Sequence, residues 1–238
     1  MAYRLLPFRQ YDENDVINLF ANDTSDAKPT TNGNGSAGVF VSVKSGGGNF
    51  SKDPITYVDR TELSASYDHV KNQYPEVQLK VTAAAVGAFA GEVLGITLKQ
   101  TLEKDENEEK LLYNPVKRDE LQAVLSGQAV PIATKGIFTL TSDAFDNDKD
   151  GVPSCVPGTA AVISPGTAGK VSGVAFSSLY GGLATSVTGL AHITEGGTVV
   201  KYTTDHVVGT WIGSGTRTSV GPITDVHAGA YGVLKLNV

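Results

Sequence analysis

Apolar positions along this chain fall in short, β-branched runs rather than in helical stripes. VFVSV (Val39–Val43), ITYV (Ile55–Val58), VQLKVT (Val77–Thr82), VLGITLK (Val93–Lys99) and AVPIATKGIFTL (Ala129–Leu140) are of this kind. AAVIS (Ala160–Ser164), GTVVKYTT (Gly197–Thr204), HVVGTWIG (His206–Gly213) and YGVLKLNV (Tyr231–Val238) continue the series. Gly, Pro, Asn or Asp punctuates nearly every gap, which predicts strands joined by turns. Many short strands at this spacing predict a mainly β fold, a β-barrel or sandwich with long loops and one or two short helices. NPVKRDELQAVL (Asn114–Leu125) predicts a helix of about two turns, with an Asn cap and a proline in its first turn. DENDVINLFA (Asp12–Ala21) predicts a second short helix.

The same pattern divides the chain into residues 1–75, an N-terminal arm with a strand and loop region, and residues 76–238, a β-barrel domain. Loop insertions are expected near 100–120 and 141–160. YRLLPFRQY mixes Tyr3, Leu5, Leu6 and Phe8 with two arginines, and Pro7 prevents a continuous helix. Two readings are open for this opening: a strand tucked into the chain's own sheet, or an extended arm that docks on another subunit. Under the second reading Tyr3, Leu5, Leu6 and Phe8 are the contact residues. TSDAKPTTNGNGSAG (Thr24–Gly38) reads as a polar linker, and EKDENEEK (Glu103–Lys110) as a solvated acidic tip.

Composition narrows the function. With 238 residues the chain can bury a sizeable core. A formal charge of −6 disfavours a nucleic-acid groove, which needs clustered Lys and Arg. No apolar run approaches the roughly 20 residues of a membrane-spanning helix. The opening residues show no signal-peptide core, so synthesis in a cytoplasm is expected. One cysteine, Cys155, allows no internal disulfide. Low charge (18%) and 27 glycines suit a surface that is largely buried against neighbours.

Chemistry is harder to find. DAFDNDKDGVPSC (Asp143–Cys155) places Asp146, Asp148 and Asp150 at positions one, three and five of a calcium loop, with Gly151 sixth. The twelfth position, where a bidentate Glu closes the shell, is Pro157. The stretch therefore reads first as an exposed acidic turn and second as a structural calcium site. His69, His192, His206 and His227 show no ligand spacing. Gly213-Ser214-Gly215 is not a nucleophile elbow, SGGGNFSK (Ser45–Lys52) lacks the P-loop spacing, and the acidic surroundings of Cys155 raise a thiol pKa. No acid, base and nucleophile converge, so an enzyme is not expected.

Two segments carry a resemblance. EVLGITLKQTLEKDENEEKLLYNPVKRDELQAVLSGQAVPIATKGIFTL (Glu92–Leu140) and the VVGTWIGSG and AYGVLKLNV ends of Val207–Val238 look like the head decoration, or capsid-stabilising, proteins of tailed bacteriophages. Tyr3–Ala21 resembles the start of phage virion structural proteins. Thr24–Val77 and Thr141–Gly197 lie outside the likeness. It implies a small β-barrel on the outside of a virion, with termini or loops engaging the major capsid protein and with copies of itself as neighbours on the shell. The alternatives are a tail or neck component, or a carbohydrate-binding β-sandwich that uses calcium in the Asp loop.

Overall fold

The computed structural model describes residues 4–21, 36–43, 80–102, 104–105, 107, 109–125, 128–146, 155–176, 179, 192–195, 198–219 and 228–238. Ile55–Val58 and most of Thr24–Gly38 lie outside them, as do Ser45–Lys52 and residues 147–154. The fold is mainly β, as the punctuated apolar runs predict.

Among the described residues fifteen strands follow in chain order. They are β1 (Leu5–Gln10), β2 (Val16–Ala21), β3 (Phe40–Val43), β4 (Lys80–Ala83), β5 (Val93–Thr97), β6 (Gln100–Thr101), β7 (Ala123–Val124) and β8 (Ala129–Ala133). Then come β9 (Lys135–Thr141), β10 (Ala160–Ile163), β11 (Val171–Val174), β12 (His192–Glu195), β13 (Thr198–Lys201), β14 (Val207–Arg217) and β15 (Gly229–Asn237). A six-stranded antiparallel sheet runs β1-β9-β15-β14-β10-β11. A second group, β2-β4-β3-β5-β8, pairs in a closed ring. Its ladders are short: β2 meets β4 through two residue pairs and β5 meets β8 through two.

The run Ala129–Leu140 serves both layers. Its first half is β8 in the ring and its second half is β9 in the sheet, with Thr134 between them accepting Val238 N–H and donating to Asp15. Strand β15 shows why the sheet forms: from Gly232 to Asn237 its side chains alternate inward and outward, the period of a half-buried strand. Leu234 and Leu236 enter a core with Phe138, Leu140, Phe145, Ile163 and Trp211. Strand β10 is buried along its whole length because both faces are covered, Ala161 and Ile163 by this core and Val162 by Val174 and Tyr202. The ring holds its own apolar centre around Val39, Val41, Val81, Val130 and Ile132.

Ring and sheet are joined at the β10–β11 turn. Gly169 donates to Ala84 and its carbonyl accepts from Phe40 N–H. Its φ is +71°, and a Cβ there would lie 2.6 Å from Val39 Cγ1, so only glycine lets the turn approach so closely.

Two expectations are corrected. The division at residue 75 is absent from the pairing: β1 lies in the sheet beside β9, and β2 and β3 belong to the ring that β4, β5 and β8 complete. Asp12–Ala21 is no helix. Asp12 caps a single 3-10 turn over Glu13–Asp15, and the chain then extends as β2, where Val16 and Ile17 favour a ladder with β8 over a second helical turn. The other helix stands: α1 (Pro115–Glu120) begins at Asn114, whose side chain accepts from Lys117 N–H.

Candidate interaction surface

The amino-terminal strand resolves the two readings of the opening: it is seated in the chain's own sheet. Tyr3 lies outside the described residues. Leu5 is half-buried against the main core, Leu6 is buried, and Phe8 is 64% exposed. Three of the four expected contact residues therefore share one strand but not one role, since the side chain of Leu6 faces inward. Strand β1 stands at the end of the sheet order, and Pro7 removes one N–H from it, a common way to blunt an edge.

Beside β1 runs a groove in two parts. The first, about 290 Å³, lies between Leu5, Pro7 and Arg9 on one side and Leu98, Glu120 and Leu121 on the other. The second, about 440 Å³, continues past Tyr11 and Glu13 toward Lys99 and Pro131. Arg9, Leu98 and Gln122 line both. The far wall belongs to a small lobe in which β6 and β7 pair in parallel, Leu102, Leu111, Ala123 and Leu125 form a core, and α1 lies beside β7. That lobe carries Tyr113 and Val116, 63% and 68% exposed. The acidic tip folds as a turn in which the Asp105 carboxylate accepts from Asn107 and Glu109 N–H.

Among the described residues, those singled out for chemistry do not assemble. Asp148 and Asp150 lie outside the described residues. Asp146 faces inward: its carboxylate accepts from the Ser164 hydroxyl and pairs with Lys170 Nζ at 3.3 Å. Ser164 Oγ in turn accepts from Gly166 and Thr167 N–H. A cation at Asp146 would have to displace an ammonium already there. Arg4 is buried nearby, donating to the Gly169 carbonyl; burial lowers its pKa while Asp143 and Asp146 oppose the shift. Among the described residues no three His, Cys, Asp or Glu side chains gather as a metal site. Cys155 is buried and its thiol is pushed up by that burial, which keeps it a poor nucleophile. Ser214 lies exposed on β14. His69 and His227 fall outside the described residues, and His192 lies on β12.

His206, though without ligand spacing, has a defined place in the packing. It is buried, with the Phe89 ring 4.2 Å away and Tyr202 edge-on at 5.4 Å. Its Nδ1 accepts from Thr203 N–H at 3.1 Å, which leaves the neutral ring's proton on Nε2. Burial lowers its pKa below 6.5, against the pull of Asp205 and Glu92. The unfolded chain thus takes up this proton first as the pH falls. The contribution of His206 is complete above about pH 6.5 and is lost as the pH falls through the lowered folded value. Thermal melts at pH 7 and pH 5.5 are expected to show a smaller drop for His206→Gln than for the unchanged protein, and equal drops would sink this assignment.

Sequence reasoning missed Lys99 and Gln122 as groove residues. The available signal was local: Gln122 occupies the position after a helix end where glycine is usual, and its φ is +48°. No family model, no curated protein and no solved structure matches the chain, and no helix among the described residues is long and apolar enough to cross a membrane.

Proposed function

We propose that this chain is a virion structural protein, a capsid decoration protein that binds the major capsid protein of a tailed phage and stabilises the head. The observation that carries the reading is the exposure of large apolar side chains on the strand and on the lobe that border the groove. Phe8 stands on β1 and Tyr113 and Val116 on the lobe, all three outside the groove lining itself. Apolar surface of this kind on a rigid β scaffold suits protein contact. The likeness of Glu92–Leu140 and Val207–Val238 to decoration proteins supplies the partner. Those segments form β5 to β9 with α1, and β14 with β15, so they include both the lobe and the centre of the sheet.

A protein of this class works by area. A standard interface buries roughly 1,600 Å², and repetition over a shell adds avidity without new contacts. A net-negative body also avoids the packaged DNA, in keeping with an outer location. Incubation with expanded, undecorated capsids is expected to give saturable co-sedimentation and a higher capsid melting temperature. Absence of both ends the proposal. A tail or neck role would instead place labelled copies away from the head in electron micrographs.

A further inference from the structure

We infer that the groove beside β1 holds an extended segment of the coat protein with an aspartate or glutamate at its centre, seated between Arg9, Lys99 and Gln122; this rests on the decoration reading. Arg9 lines both parts of the groove, and Lys99 lines the larger one. Neither cation has an ion-pair partner among the described residues, although the chain as a whole carries −6. One donor of Arg9 reaches the Leu98 carbonyl at 3.5 Å, a marginal contact for a group with five donors. Glu13 lines the larger part together with Arg9 and Lys99, and Glu120 lines the smaller together with Arg4 and Arg9, so cations outnumber acids along the groove. An occupant that brings a carboxylate to Arg9, where the two parts meet, complements these cations.

Gln122 points the same way. Its left-handed backbone is unfavourable for a non-glycine residue, and glycine would end the helix without that strain. The exposed Gln122 side chain lines both parts of the groove, where its amide can donate to a carboxylate and pair with an extended backbone. A side chain used there explains a residue that the fold alone does not favour.

The variants Arg9→Glu, Lys99→Glu and Gln122→Gly, with Lys135→Glu as an exposed control of equal charge change, are to be titrated onto expanded capsids. Both charge reversals are expected to weaken binding tenfold or more and the control less than twofold. Gln122→Gly is expected to melt higher than the unchanged protein yet bind more weakly. Carbodiimide treatment of decorated capsids should join Lys99 to an Asp or Glu of the coat protein through an amide. If the unchanged protein sediments and the groove variants sediment equally well, the groove assignment falls while the decoration reading stands. The groove assignment falls likewise if coupling at Lys99 finds no coat carboxylate. If the unchanged protein does not sediment, the decoration reading falls and takes this inference with it.

Discussion

Removal of residues 1–10 is expected to lower the melting temperature by about 10 °C or more, and not to yield a folded protein that merely fails to attach. Strand β1 is part of the sheet: Leu5, Arg9 and Gln10 face Leu140, Phe138 and Ile137 on β9, and Thr141 N–H bonds to the Arg4 carbonyl at 2.9 Å. Burying Leu6 contributes about 1.5–3 kcal/mol. Loss of Arg4 leaves its bond to Gly169 unmade and removes a guanidinium whose charge is felt at Asp143 and Asp146, at a cost of about 1–3 kcal/mol. Together these approach about 4 kcal/mol, and each kcal/mol shifts the melting point of a chain this size by about 2–4 °C. The deletion also bares β9, whose Phe138 and Leu140 are fully buried, so aggregation should accompany the loss. Calorimetry and limited proteolysis read both effects. A truncated chain that melts within 2 °C of the parent would restore the separable arm.

The seating of β1 also shows which parts of the fold are legible in the sequence. Alternation and turn residues mark β5, β8, β9, β10, β14 and β15 because each strand has one face on the core, or is buried on both, and carries Val, Ile or Leu accordingly. The Asn114–Pro115 pair marks α1 because capping is local chemistry. Position in the sheet is not local. Nothing within Leu5–Gln10 specifies β9 as its neighbour rather than a strand of another molecule; the choice depends on Leu140 and Phe138, more than a hundred residues away. Strand β2 reads as a helix for a related reason: the residues before it satisfy a cap, and only the ladder to β8 decides against a helix. Strands β6 and β7 span two residues each, too short to show any period.

The groove is less legible still. Arg9, Lys99 and Gln122 come from three separate segments, and only the packing of the β6–β7 lobe beside β1 brings them to one trench. Asp146 shows the converse. Its spacing with Asp148 and Asp150 suggests a calcium loop, but an ammonium and a hydroxyl contributed by the β10–β11 turn engage it instead.

Trp211→Ala is expected to destabilise the chain by about 3–5 kcal/mol, the range for emptying a large aromatic site in a closed core. Trp211 is fully buried, with Phe145 edge-on at 5.8 Å, and it lies at the middle of the cluster that unites β9, β10, β14 and β15. Trp211→Phe should cost far less than its change in volume suggests. Among the described residues the indole Nε1 has no hydrogen-bond partner, and an unsatisfied buried donor costs about 1–3 kcal/mol. Phenylalanine loses contact area but also removes that burden, so a net cost of about 1 kcal/mol is expected. Gly232→Ala tests the same packing from the other side. A Cβ at Gly232 would lie 2.6 Å from Trp211 Cζ3 and 2.7 Å from Cys155 Cβ, so the indole must move. Because Trp211 is the sole tryptophan among nine tyrosines, emission under excitation selective for tryptophan reports on this site alone. Denaturant titrations should rank Trp211→Ala below Gly232→Ala and both well below the unchanged protein, with a red-shifted emission for Gly232→Ala. Equal stability of the Ala and Phe variants would show that the site collapses freely, and the sheet would then not be organised around this indole.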